Sequence, residues 1–281
     1  MESALYCVAT PIGNLGDITS RAIEVLRDAD VVYAEDTRVT RKLLTHLGIK
    51  NRLQSLHDHN EADRVAEVKI LLEQGESVAL VSDAGTPLIS DPGYHLVAEL
   101  SGKGFRVVPV PGASAIITAL SAAGLPTDRF AFEGFLPAKS TLRCKALTAL
   151  KDEHRTLVFY ESSHRIVGLL EDLLVTLGAQ RELVIARELT KLFEQFYRGT
   201  VAELLEKIQQ DANMRKGEFV VMLAADRGAD DDENNDAVLE TAKLLAVLVE
   251  ELPVKQAAKI ASRLTGLPKN DLYRQALELN H

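Results

Sequence analysis

The amino-acid sequence predicts an α/β protein with two α/β domains and a small helical domain at its C-terminal end. Short runs of β-branched residues alternate with helix-length amphipathic segments, a pattern typical of largely parallel sheets covered by helices. The 281 residues exceed the usual size of one domain. An acidic stretch at 226–236 has few apolar residues and is typical of a linker. We therefore expect domains over residues 1–112, 113–228 and 237–281.

The first predicted domain alternates strands with helices. Its strands are expected at residues 5–9, 31–34, 53–56, 77–81 and 106–110. Its helices are expected from 19 or 20 to 27, and at 37–47 and 61–74, and a helix of small residues at 115–123 follows the expected domain boundary. Thr19 or Ser20 is suited to the first helix N-terminus, because a hydroxyl oxygen accepts hydrogen bonds from free helical amides. Gly48 and Gly75 are typical helix ends.

The same sequence patterns predict the strands and helices of the second domain and of the C-terminal segment. Strands are expected at 129–133, 156–160, 183–188, 193–198 and 217–223, and helices at 141–150, 163–177 and 200–210. Two of these strands are close enough in sequence for an antiparallel hairpin, which predicts a mixed sheet. Three final helices are expected at 237–249, 253–264 and 268–279, because Pro253 and Pro268 suit helix starts and Gly266 a helix end. They are compatible with a helix-turn-helix variant.

Composition excludes several classes of protein. Average apolar content excludes a disordered or collagen-like chain, and no apolar stretch has the length of a membrane span. Cys7 and Cys144 are too few for a disulfide framework or a zinc site. The first nine residues lack the basic region of a secretory signal. We therefore expect a cytoplasmic protein without membrane contact or bound metal.

The net charge of −9 is unevenly distributed along the chain. Residues 226–240 contain seven of the 41 acids and one of the 32 bases, so the remainder carries only −3. Residues 38–52 contain five Lys or Arg and no acid, and 253–275 contain five against Asp271 alone. These two basic segments are compatible with nucleic-acid binding or with ordinary solvated helix faces.

Two loops rich in Gly and Pro follow predicted strands. One contains Pro11, Gly13 and Gly16, and the other runs from Ser82 to Gly93. Ligands of parallel α/β sheets bind beyond the carboxyl ends of the strands, so these loops lie where a cofactor is expected. Neither loop matches the dinucleotide glycine fingerprint. A plain strand-to-helix connection, with its aspartates capping turns, is the alternative.

Charged residues at other strand ends are candidates for catalysis and substrate binding. Glu35, Asp36 and Arg38 follow the second strand, where a carboxylate can accept a proton or favour a helix N-terminus. His57 follows the third strand, and its neighbour His59 lacks the further ligands that a metal site requires. In the second domain, the bases Arg165, Arg187 and Lys191 suit either phosphate contacts or interdomain salt bridges.

Nine segments of the chain together resemble a known family. They are Ala9-Thr-Pro-Ile-Gly-Asn-Leu-Gly-Asp17, Ala34-Glu-Asp-Thr-Arg38, Ser82-Asp-Ala-Gly-Thr-Pro87, Ser90-Asp-Pro-Gly93, Pro111-Gly-Ala-Ser-Ala115, Phe132-Glu-Gly-Phe-Leu-Pro137, Phe159-Tyr-Glu-Ser162, Arg187-Glu-Leu-Thr-Lys191 and Lys216-Gly-Glu-Phe-Val220. In this order they resemble the ribosomal RNA small subunit methyltransferase I family. That family belongs to the tetrapyrrole-methylase-like class of S-adenosylmethionine-dependent methyltransferases. Ala113 and Ser163 stand where proline is frequent in it, and neither difference removes a functional group.

The resemblance implies 2′-O-methylation of the ribose of a cytidine, position 1402, in 16S ribosomal RNA. It also implies two α/β domains with S-adenosylmethionine in the cleft between them, a homodimer, and action on the assembled small ribosomal subunit. The implied cofactor contacts are Pro11, Asp83, Gly85, Ser114, Ala115, Tyr160, Leu189 and Glu218. We assign the catalytic base to Asp36 or Glu35, with His57 as competitor, and substrate contacts to Arg38, Arg41, Lys42, Arg187 and Lys191.

Other functions are compatible with parts of the sequence. A methylase of the same fold that acts on a tetrapyrrole would use the basic residues near Arg38 for substrate carboxylates. A non-catalytic nucleic-acid-binding protein would use the helical tail but would not need the two Gly- and Pro-rich loops. A nicotinamide-dependent dehydrogenase would need the glycine fingerprint that is missing here.

Overall fold

The computed structural model describes residues 1–57, 60–225 and 233–279, and from residue 233 onward the side chains of 241–277 and 279. The chain divides into two compact units, Met1–Asp226 and Arg227–His281. The first unit contains both predicted α/β halves, each with its own five-stranded sheet. The second unit is helical.

The first sheet is entirely parallel. Its strands are β1 Leu5–Val8, β2 Val31–Ala34, β3 Leu53–Ser55, β4 Val78–Val81 and β5 Val107–Val110, in the spatial order β3-β2-β4-β1-β5. The two central strands β2 and β4 are buried along their whole length, as expected for apolar runs covered by helices on both faces. All five predicted strands are confirmed, with ends that differ by at most one residue.

Four helices accompany this sheet, and a fifth follows its last strand. They are α1 Ser20–Asp28, α2 Thr37–His46, α3 Glu61–Glu73, α4 Tyr94–Gly102 and α5 Ala115–Ala123. Thr19 caps α1, because its side chain accepts a hydrogen bond from the Ala22 amide. Helix α4 was not predicted. Its N-terminal Leu96 amide donates to the buried Glu61 carboxylate of α3 at 3.0 Å, a cap that comes from another helix.

The second sheet is mixed, as predicted. Its strands are β6 Phe130–Phe135, β7 Thr156–Ser162, β8 Glu182–Arg187, β9 Gln195–Thr200 and β10 Glu218–Leu223, in the order β6-β7-β10-β8-β9. Strands β6 and β7 are parallel and the other pairs are antiparallel, which confirms the hairpin of β8 and β9. Helix α5 packs on this sheet through Ile116 and Leu120, which links the two halves of the unit.

Helices α6 Ser140–Ala149, α7 Ile166–Leu177 and α8 Val201–Gln210 cover the opposite face of the second sheet. The start predicted for α7, residue 163, was wrong by three residues. The Arg165 amide donates to the Ser162 carbonyl in a turn, and this turn places Arg165 Nε 3.2 Å from the buried Glu161 carboxylate. The helix therefore begins after this turn, at Ile166.

The second unit contains helices α9 Glu233–Glu251, α10 Val254–Thr265 and α11 Lys269–Leu279. The three helices enclose an apolar core that includes Leu245, Ala258, Ala261, Leu272 and Ala276. Helix α9 begins four residues before its predicted start, and residues 226–232 of the predicted linker lie outside the described residues. Within the described ranges, no helix combines the length and apolar character that crossing a membrane requires.

Candidate active site

A cavity of about 520 Å³ lies where strand-end loops of the first sheet face the second sheet. This volume is within the range of small-molecule sites. The first half contributes Ile12, Glu35, Asp83, Ala84, Gly85, Thr86, Ile89, Ser90 and Asp91 to its wall, and the second half contributes Ser114, Ala115, Phe135, Tyr160, Glu161, Ser162, Ser163, Leu189, Gly217, Glu218, Phe219 and Val220. Parallel strands place their following loops at one sheet edge, so distant segments meet here.

The loops after β1 and β4 are joined by backbone hydrogen bonds. The Thr10 amide donates to the Gly85 carbonyl at 2.8 Å, and the Gly85 amide donates back to the Thr10 carbonyl at 3.1 Å. A side-chain contact adds to this, because the Asp36 amide after β2 donates to Asp83 Oδ1 at 2.9 Å. Three neighbouring strand ends are therefore held in a fixed arrangement on one side of the cavity.

Strained backbone is concentrated in two loops beside the cavity, the loop after β4 and the loop after β8. Among the described residues, the non-glycine residues with positive φ are Leu88, Ser90, Glu188 and Thr190, with φ between 51° and 72°. A non-glycine residue in this region costs free energy, and such strain clusters at functional sites. The surrounding contacts must hold both loops in these conformations.

The Glu188 carboxylate holds the loop after β8 through several hydrogen bonds. Glu188 Oε1 accepts from the Glu218 amide and from Lys191 Nζ, both at 3.0 Å, and Lys191 Nζ also contacts Glu218 Oε2 at 2.8 Å. Gly217 packs directly on this group at φ +101°, and a Cβ at that position would lie 2.6 Å from Glu188 Cγ. Glycine is therefore required for Glu188 to occupy its position.

The described lining of the cavity is rich in acidic residues. Five carboxylate residues line it, Glu35, Asp83, Asp91, Glu161 and Glu218, and no Lys or Arg is present among the described lining residues. Burial raises the pKa of Asp91, and the nearby charge of Asp83 raises it further, although a hydrogen bond from Ser82 acts in the opposite direction. Oε2 of Glu161 is buried without a hydrogen-bond partner in the described part of the chain. The site therefore favours a cationic ligand that donates hydrogen bonds.

An aromatic wall completes the cavity on the side of the second sheet. The ring of Tyr160 contacts Phe132 and Phe135 at centroid distances of 4.8 and 5.5 Å. A bulge at Glu133 shifts the β6–β7 register, so that Phe132 and Phe135 point to the same face although they are three residues apart. Burial, together with the charge of Asp91, raises the pKa of Tyr160 to about 12, so its phenol stays protonated near neutral pH.

The candidates for the catalytic base lie in different environments. Glu35 lines the cavity. Asp36 caps α2 and binds Arg38, with Oδ2 2.6 Å from Nη2, and the bonds to Arg38 lower the pKa of Asp36 to about 2. His57 is exposed outside the lining and contacts the Asn60 side chain at 3.2 Å. Of the three, Glu35 is the one that lines the cavity.

The predicted basic residues of α2 lie on one helix face. Arg38, Arg41, Lys42 and His46 surround a shallow surface depression together with Thr45. Their spacing of three and four residues places them on neighbouring turns of the helix. This face begins at the same strand end as Glu35, beside the cavity.

Other predicted site residues have structural contacts. Lys191 is paired with Glu188 and Glu218, and Arg187 donates to the Lys216 carbonyl and to Gln195. Pro11 is buried next to Ile12, which lines the cavity in its place. The other predicted cofactor contacts all line the cavity: Asp83, Gly85, Ser114, Ala115, Tyr160, Leu189 and Glu218.

Several lining residues were missed from sequence reasoning. Asp91, Phe135 and Glu161 line the cavity but are not among the predicted contacts. The signal for Phe135 was Gly134, a left-handed residue inside a strand pattern, which indicates a bulge. For Glu161 the signal was an acid at the end of an otherwise apolar strand.

Comparison with known proteins shows similarity over both units. Residues 4–205 match the family of tetrapyrrole (corrin/porphyrin) methylases, and residues 235–280 match the RsmI C-terminal HTH domain. The chain is 53% identical over 277 residues to "Ribosomal RNA small subunit methyltransferase I" of Escherichia coli O157:H7, covering 99% of this chain and 96% of the relative. The proteins of the same name from Vibrio cholerae and Pseudomonas aeruginosa are 51% and 50% identical, each over 98% of this chain and 94% and 96% of their own lengths.

Solved structures show the same fold at lower identity. Diphthine synthase matches with a TM-score of 0.60 and 19% identity, covering 79% of this chain and 90% of its own. Uroporphyrin-III-C-methyltransferase from Thermus thermophilus matches with a TM-score of 0.56 and 24% identity, covering 79% and 94%. Both matches concern the fold alone.

We expect Gly217→Ala to destabilise the first unit. The new Cβ would displace the Glu188 carboxylate and would impose a left-handed conformation on alanine, at a cost of about 1–3 kcal/mol in free energy of unfolding. Urea denaturation measures this difference. Gly102→Ala is the matched control, because no atom lies within 4 Å of the added Cβ. Equal stability of the two variants would contradict the packing described here.

Proposed function

Because the chain belongs to the tetrapyrrole methylase family, we propose that it is a ribosomal RNA methyltransferase that transfers a methyl group from S-adenosylmethionine to a cytidine ribose 2′-hydroxyl of 16S ribosomal RNA. The observation that carries this proposal is about 50% identity, over nearly the whole chain, to small subunit rRNA methyltransferases. Because this identity covers 98–99% of the chain, it includes the C-terminal unit.

The cavity has the chemistry that this cofactor requires. When bound, S-adenosylmethionine supplies a methyl group on a positively charged sulfonium, which needs no metal activation. Asp83 and Asp91 complement that positive charge, and a bound cation would relieve their mutual repulsion. Tyr160 and Phe135 supply flat apolar surface for a nucleobase. The lone Glu161 oxygen is an acceptor for an amino or hydroxyl group.

Glu35 is the residue that we assign as the general base. A ribose hydroxyl is weakly acidic, so its proton must be accepted as the oxygen attacks the methyl carbon. Glu35 lines the cavity, whereas Asp36 is a poor base because Arg38 lowers its pKa to about 2. Asp36 and Arg38 instead position the start of α2. The cavity contributes alignment of donor and acceptor, which is the larger part of such catalysis.

The basic face of α2 is suited to the RNA backbone. Arg38, Arg41 and Lys42 present positive charge beside a cavity whose own wall is acidic. Phosphates would be attracted to the helix face and repelled from the cavity, which leaves the neutral ribose to approach Glu35. Arg187 and Lys191, already bonded within the second half, are weaker candidates for this role.

Two further expectations are part of the proposal. The family resemblance implies a homodimer, for which the molecular mass in solution is the test. It also implies a cytoplasmic enzyme that acts on the assembled small subunit.

Transfer of labelled methyl groups tests the proposed function directly. Incubated with labelled S-adenosylmethionine and small ribosomal subunits from cells lacking this protein, the enzyme is expected to label one cytidine in 16S rRNA. A 2′-O-methyl group blocks alkaline cleavage at that nucleotide, so the position and the ribose are both identified. A parallel incubation with a tetrapyrrole serves as the alternative substrate. Label in the tetrapyrrole, or in a base, would refute the proposal.

Glu35→Gln is expected to lower kcat by about 10²–10⁴, because the amide keeps the side-chain shape but accepts no proton. Calorimetry should show S-adenosylmethionine affinity within about threefold of wild type, since the base does not hold the cofactor in this proposal. Glu24→Gln, an exposed change on α1, is the matched control. A variant Glu35→Gln that turns over at the wild-type rate would exclude Glu35 as the base.

Arg41→Gln combined with Lys42→Gln should raise KM for small subunits and leave kcat unchanged. Each lost phosphate contact reduces the slope of log affinity against log salt by about one, so the double variant should lose about two. Arg21→Gln with Arg27→Gln, both exposed on α1, changes the net charge equally and is the control. If the salt dependence stays the same in both double variants, α2 does not contact phosphate.

A further inference from the structure

Helix α10 of the C-terminal unit has two faces of opposite character. Ala257, Ala258 and Ala261 are fully buried and allow close packing within the three-helix core. Lys255, Lys259 and Arg263 are exposed and recur every four residues. At 100° per residue their directions fall opposite the alanine stripe, and they form a row about 12 Å long. We call these three residues the α10 basic row.

The α10 basic row has no stabilising role within the described structure. In the described part of the chain, none of its three side chains forms an ion pair or hydrogen bond, and α10 itself contains no acid. Lys255 lies in the first helical turn, where a positive charge opposes the helix dipole and lowers helix stability. Three unpaired like charges on one short helix also repel each other. These costs indicate an external partner of negative charge.

The neighbouring helix α11 is electrostatically different. Arg274 of α11 is paired with Asp271 one turn earlier, and Lys269 is the other cation of this helix. In most helix-turn-helix proteins the last helix of the motif contacts the nucleic acid. The charges of the C-terminal unit instead indicate that α10 contacts the nucleic acid.

We propose that the α10 basic row binds phosphates of ribosomal RNA, as a contact separate from the basic face of α2. This inference rests on the proposed rRNA methyltransferase function, since it takes the small ribosomal subunit as the partner. A straight row of exposed cations without acids suits a phosphate backbone, whose recognition depends on charge and spacing rather than on base identity.

A binding assay that needs no methyl transfer tests the row. Lys255→Gln, Lys259→Gln and Arg263→Gln are combined in the full chain; glutamine has a helix propensity close to that of lysine and arginine, so α10 is retained. At 100 mM salt, affinity for small ribosomal subunits should fall at least tenfold, and the slope of log affinity against log salt should fall by about 2–3 between 50 and 200 mM. Cofactor affinity and kcat at saturating subunits should not change.

Two controls isolate the row from other causes. Lys69→Gln, Lys103→Gln and Lys145→Gln on the first unit change the net charge equally and should bind as wild type does. Lys269→Gln with Arg274→Gln tests α11. Unchanged affinity and slope in the α10 variant, or a loss confined to the α11 variant, would overturn the proposal. Because binding is measured without catalysis, absence of methylation would contradict only the proposed function.

Cross-linking identifies whether the partner of the row is RNA or protein. A photoreactive amino acid at Gln256, an exposed position beside the row, should attach to 16S rRNA in the intact subunit. Attachment to ribosomal proteins alone would overturn the proposal in favour of a protein partner, even if the triple variant binds weakly.

Discussion

The fixed arrangement of the strand-end loops around one cavity is the constraint on which the candidate site depends. Burial raises the pKa of Asp91 and the charge of Asp83 raises it further, and no lining Lys or Arg of the described chain neutralises these two carboxylates. Such a site is maintained only if the backbone cannot relax, and strained loops joined by the Thr10–Gly85 bridge and the Glu188 hydrogen bonds meet that requirement. The carboxylates are thus held in place in the free protein, where they can receive a cation.

Acidic and basic residues are concentrated at different places in the described structure. Acids face the cavity, where the proposed cofactor would bring a positive charge, and cations lie on exposed faces of α2 and α10. The net charge of −9 conceals this arrangement, because it adds the cations of those two helices to acids elsewhere in the chain. Local charge is therefore the better guide to a nucleic-acid partner than net charge.

Sequence reasoning predicted the ten strands because apolar runs of β-branched residues carry a local signal. It missed α4, whose N-terminus depends on a carboxylate from α3, and it placed the start of α7 too early because a turn at Ser162–Arg165 precedes the helix. The cavity-lining loops of the first sheet were predictable, since parallel strands bring their carboxyl ends together. Phe135 and Glu161 were not, because their positions depend on how the second sheet is built.

The bulge at Glu133 makes one wall of the cavity depend on the backbone conformation of β6 as well as on its side chains. In an unbroken strand, residues three apart point to opposite faces, so a β6 of the same length without the bulge would turn Phe135 toward α6 and α7. Tyr160 would then lose a neighbour and the pocket would open to water. A single substitution that removes the bulge, for example at the left-handed Gly134, would thus change the shape of the ligand site abruptly.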